Sequence, residues 1–95
     1  MAQLLYTNAV TVTTGATRLL ASNKDAEFRS IANGAAILYI GAAAVTSGNG
    51  YSMAASTVLT MAGGDDRHSG IYSGELWGVV TTGTLVVRVL EAQSP

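Results

Sequence analysis

The chain has 95 residues, 48% of them hydrophobic, with five basic and six acidic residues and a formal net charge of −1. A chain this size makes one domain that hides only roughly 60–65% of its unfolded surface. A mean hydropathy of +0.34 therefore predicts apolar surface covered by a partner. Scattered charges exclude the clustered Lys and Arg of a nucleic-acid footprint, and the absence of cysteine excludes disulfides and thiolate metal sites.

In chain order, Met1 to Tyr6 lacks the basic and long apolar regions of a signal peptide. Leu4, Leu5 and Tyr6 are apolar residues ahead of the first alternating run, so residues 1–8 are predicted to be a docking arm, seated on a partner or on the protein's own sandwich. Ala9-Val10-Thr11-Val12-Thr13 predicts a strand, Thr14-Gly15 a turn, and residues 17–21 its hairpin partner. Residues 27–32 predict a strand of open register, because Phe28 falls on one face and Glu27, Arg29 and Ile31 on the other. Asn33-Gly34 is a strong turn dipeptide leading into Ala36-Ile37-Leu38-Tyr39-Ile40, an apolar run expected as a central strand.

Residues 41–50 predict a loop, and residues 51–53 and 57–61 two short extended pieces. Residues 62–70, the most polar stretch, predict an exposed loop. A closing hairpin is predicted from residues 75–80 and 84–91 around Thr82-Gly83, with Leu85, Val87 and Val89 on one face. These runs define an all-β domain over residues 1–95: a small antiparallel β-sandwich or jelly-roll-like barrel of about eight short strands. No apolar run approaches the 18 residues of a membrane span.

Nothing here assembles catalysis on paper. His68 is the single imidazole, and no Gly-x-Ser-x-Gly elbow accompanies it. Asp65, Asp66 and His68 offer ligand atoms without the spacing of a calcium loop or a zinc site. Asp25, Glu27, Glu75 and Glu91 are scattered carboxylates with no pairing signal. The glycine pairs precede no Lys-Ser/Thr, so they read as turns rather than phosphate cradles. The expectation is no enzyme, no cofactor and no metal. Trp77 is expected in the core, and Leu4, Leu5, Tyr6, Tyr51 and Tyr72 at an interface, together with the loops 42–51 and 63–72.

The stretch Glu27-Phe28-Arg29-Ser30-Ile31-Ala32-Asn33-Gly34, then Ile37-Leu38-Tyr39-Ile40-Gly41, then Val45 to Met53, and the ending Val87-Arg88-Val89-Leu90-Glu91 resemble small β-sandwich structural proteins of tailed-bacteriophage particles. The resemblance covers roughly residues 17–91; Ala54-Ala55-Ser56 departs from it, where a Pro-Gly type turn is expected. It implies a capsid decoration or cement protein, a homo-oligomer with a trimer favoured, bound to the major capsid protein on the virion surface and assembled in the host cytoplasm. Tail, baseplate or fibre subunits share such domains and form the alternative. A carbohydrate-binding sandwich presenting Trp77 or Tyr51 is the further one.

Overall fold

The computed structural model describes residues 4–23, 26–62 and 74–93. Eight strands form among them: β1 (Leu4–Val12), β2 (Thr17–Leu20), β3 (Ala26–Ala32), β4 (Leu38–Gly41), β5 (Tyr51–Met53), β6 (Val58–Ala62), β7 (Leu76–Val79) and β8 (Leu85–Gln93). They pair antiparallel in two four-stranded sheets, ordered β1-β8-β3-β6 and β2-β7-β4-β5, packed as a sandwich. The pairs β4·β5, β3·β6, β2·β7 and β1·β8 show one long hairpin, tipped by residues 42–50 and rolled so that successive rungs alternate between sheets. That order is the jelly roll, two interlocked Greek keys.

The core lies between the sheets and is made mostly by alternate strand residues, Val12, Leu19, Leu20, Ile31, Leu38, Ile40, Met53, Leu76, Val80, Leu85, Val87 and Val89, with Leu59 and Met61 of β6 packed against them. In β8 the burial alternates from Leu85 through Val89 as a half-buried strand requires. Leu19 and Leu20 are both buried although adjacent, because the ladder with β7 slips one residue between Arg18 and Leu20. A bulge of this kind turns two successive side chains to one side.

Two expected hairpins are absent. The sequence pairs residues 9–13 with 17–21, whereas in the fold β1 pairs with β8 and β2 with β7. The closing pair, β7 and β8, also lies in opposite sheets. In both places the chain makes a corner from one sheet to the other, and Gly83 takes φ 67° in the second, a conformation glycine adopts without steric cost. Asn33-Gly34 is likewise no hairpin turn. It carries β3 of one sheet to β4 of the other, and neither residue has a positive φ. The next strand starts at Leu38, leaving Ile37 outside it and half exposed.

The short link from β5 to β6 holds the one non-glycine residue with positive φ among those described, Ser56 at 60°. Its N–H donates to Gly34 O at 2.7 Å, and the Thr57 hydroxyl donates to Ala54 O at 2.6 Å. The turn is thus made without the Pro-Gly pair the resemblance led us to expect, at the cost of a left-handed L-residue. A Ser56→Gly substitution should raise stability by about 0.5–1 kcal/mol, read as a higher denaturation midpoint at unchanged slope.

Candidate functional site

Register places the outward residues of the β1-β8-β3-β6 sheet in rows. Leu5, Ala92 and Phe28 form one; Thr7, Leu90, Ser30 and Thr60 the next; Ala9, Arg88, Ala32 and Val58 the third; Thr11 and Val86 the last. Arg88 is the sole charge in these rows. Leu5, Val58 and Val86 are exposed at 67%, 62% and 45%. A depression of about 460 Å³ runs along this face between β1, β8 and β3, lined by Thr7, Ala9, Ser30, Ala32, Arg88 and Leu90 among others. A sheet face of small, hydroxylic and aliphatic side chains with one cation offers shape and apolar contact.

The opposite outer face, on β2-β7-β4-β5, carries Trp77 between Arg18 and Gly41 in register. Trp77 is half-buried on this outer face, so the expected core position is corrected: Leu76 and Gly78 take the inward places of β7. Its Nε1 donates to Glu75 Oε1 at 3.3 Å, and Glu75 Oε2 accepts from Arg18 Nη1 at 3.3 Å. Tyr51 pairs with Ile40 in register and so belongs to the inward parity of β5. Trp77 and Tyr51 therefore project to opposite sides of their sheet and form no common sugar platform.

The predicted interface residues do not converge. Leu4, Leu5 and Tyr6, expected in a docking arm, lie within β1 and pair with Gln93, Ala92 and Glu91. The Leu5 and Tyr6 side chains are nonetheless exposed, at 67% and 48%. Tyr51, 66% exposed, is on the edge strand β5 at the other side of the sandwich. Tyr72, the loop 63–72 and the trio Asp65, Asp66 and His68 lie outside the described residues. Among the described residues, no three His, Cys, Asp or Glu side chains gather as metal ligands.

Among the described residues, one densely hydrogen-bonded side-chain cluster was not singled out by sequence reasoning. Arg29 is fully buried on the inward face of β3, and its Nε donates to Glu91 Oε2 at 2.6 Å. Its Nη1 and Nη2 donate to the carbonyls of Gly74 and Ala21 at 2.7 and 2.5 Å. Asn23 Nδ2 donates to Glu91 Oε1 at 3.0 Å and to Gln93 Oε1 at 2.5 Å. Among the described residues, every buried side-chain nitrogen and oxygen has a partner. A satisfied, sealed ion pair is a clamp joining β3, β8 and two loops. It presents no reacting atom to a substrate.

Compared with protein-family models, with curated proteins and with solved structures, the chain matches none of them significantly.

Proposed function

We propose that this chain is a structural virion protein that decorates a bacteriophage capsid, docking on the major capsid protein lattice through the outer face of the β1-β8-β3-β6 sheet and stabilising the head. The observation that carries this reading is that face: paired rows of small and aliphatic residues with Arg88 as their one charge, leaving Leu5, Val58 and Val86 exposed. Exposed apolar sheet surface of this kind marks a contact site. The jelly-roll order fits the same role, since that architecture serves capsid and lectin domains. The phage-protein resemblance of residues 17–91 supports it too. A decoration protein acts by mass action, binding the assembled shell better than its free subunits, and this needs no reactive group.

The test is quantitative mass spectrometry of density-purified particles with heads and tails separated, joined to rebinding of purified chain to shells lacking it. The expected result is a copy number comparable to the shell subunit, in the head fraction. A few copies confined to the tail fraction would instead select the tail, baseplate or fibre subunit, and absence from both would return the question to a binding module. A Val58→Asp/Val86→Asp variant, changed at two exposed positions, should melt like the parent and lose about tenfold or more in shell affinity.

A further inference from the structure

We propose that two copies of this chain join through antiparallel pairing of their β1 strands, about a two-fold axis passing at Asn8. In the decoration reading above, it supplies a contact between copies. It is measured on the free protein, so it stands or fails apart from shell binding.

The observations concern the side of the sandwich formed by β1 and β2. Among the described residues, β1 is an edge strand of nine residues, hydrogen-bonded to β8 alone. A free edge presents a row of unpaired N–H and C=O groups, and proteins usually blunt it with charge, proline or shortness. The sequence Leu-Leu-Tyr-Thr-Asn-Ala-Val-Thr-Val has none of these. The other edges are shorter: five residues in β6, three in β5, and four in β2, which carries Arg18. From Leu5 to Ala9 the strand is exposed on both faces, because four-residue β2 cannot cover nine-residue β1. The uncovered part opens into a cleft of about 450 Å³ lined by Tyr6, Asn8, Val10 and residues 18–23 among others.

The strand is also complementary to itself. Ala9 N–H is held by Asn8 Oδ1 at 2.9 Å, which sets Ala9, and with it Leu5, Thr7 and Thr11, as the residues whose backbone groups point away from β8. Pairing about Asn8 puts Thr7 opposite the second copy's Ala9 and Leu5 opposite its Thr11. All four face outward with their backbone groups, so about eight inter-strand hydrogen bonds form once each Asn8 Oδ1 releases the Ala9 N–H to the second copy's Thr7 carbonyl. Tyr6 then lies against the second copy's Val10, over the cleft. The two Asn8 side chains meet at a non-hydrogen-bonded site, where each amide offers both a donor and an acceptor to the other. No charge opposes a like charge along the strand.

A strip roughly 30 Å long and 15–20 Å wide gives about 500 Å² per copy, near the roughly 1,000 Å² total that a specific interface needs. Such a contact is isologous and closes at two copies, in place of the trimer that the resemblance favours. The two outer faces then run on as one eight-stranded platform, because opposite residues of an antiparallel pair project to the same side.

The decisive measurement is the mass of the free chain by light scattering, with a covalent trap beside it. The expected mass is twice 9.7 kDa. In a Thr7→Lys/Ala9→Lys variant, which sets like charges opposite one another, it should fall to that of a single copy while the circular dichroism is unchanged. In Asn8→Cys, the lone thiols of two copies sit about 4.5 Å apart at Cα, within disulfide range. Mild oxidation should link them about tenfold faster than in a Thr60→Cys control on the sheet face. A single-copy or threefold mass for the parent, a dimer that survives both lysines, or equal linking rates for the two cysteine variants would each overturn the proposal.

Discussion

Arg29→Ala is expected to cost about 3–5 kcal/mol, because it leaves the Glu91 carboxylate buried without its cation. For a domain of this size that corresponds to a fall of about 15 °C or more in melting temperature. The loss is larger than the Coulomb pair alone implies. The guanidinium fork also satisfies the carbonyls of Gly74 and Ala21, and buried carbonyls left unpaired carry their own desolvation penalty. Arg29→Lys should recover only part of the stability, since a single ammonium cannot span the carboxylate and two diverging carbonyls in a fixed plane. Replacing Arg29 and Glu91 together by Met should cost less than Arg29→Ala, for the stranded charge is then gone. The exposed Arg18 and Glu75 pair is the control: its side chains are 54% and 42% accessible, and a double-mutant cycle across it should return about 0–1 kcal/mol. Urea titration of these variants distinguishes the cases by their midpoints.

That clamp was legible in the sequence. In β8 the alternation that buries Leu85, Val87 and Val89 continues to Glu91, and in β3 the alternation through Ile31 includes Arg29. Two opposite charges, each in the inward parity of its own strand, are a signal for a buried pair. The all-β class and the approximate places of β2 to β8 were legible for the same reason, whereas the first half of β1 was not, since alternation is a property of one strand and its own two faces. Pairing is a property of two strands. Residues 75–80 and 84–91 each bury one face, which is equally true of a hairpin within a sheet and of two strands facing each other across a core. The structure takes the second arrangement for β7 and β8, and for β1 and β2. The outer-face rows were hidden by the same limit: Thr7, Leu90, Ser30 and Thr60 become neighbours only through register. Leu4, Leu5 and Tyr6 stood out as apolar residues, yet the backbone that carries them is a strand rather than an arm.

The second large effect belongs to the corner that read as a hairpin turn. Asn33, 9% exposed, points its Nδ2 at three carbonyls, donating to Ala36 O at 2.8 Å, Ala54 O at 2.9 Å and Met53 O at 3.2 Å. Its Oδ1 accepts from Gly34 N–H at 2.7 Å, and its own N–H donates to Thr57 O at 2.9 Å. One amide therefore stitches the β3-to-β4 corner to the β5-to-β6 turn, and so ties the two sheets together at that end. Asn33→Asp keeps the shape and removes the donor. It turns a carboxylate toward three carbonyl dipoles in a nearly closed site, which is unfavourable both for the unpaired acceptors and for the charge. The expected loss at neutral pH is about 3 kcal/mol or more, greater than for Asn33→Ala, which strands the carbonyls but adds no charge. The sign of the pH dependence separates the two causes. Repulsion in the folded state raises the introduced carboxyl above its unfolded value, so the folded form binds a proton more readily than the unfolded one. The deficit of the Asn33→Asp variant relative to the parent should then shrink as the pH falls through that titration, when the protonated carboxyl again donates. The Asn33→Ala deficit should stay level. A deficit that is the same for both substitutions at every pH would mean that the side-chain donor is not what holds this corner.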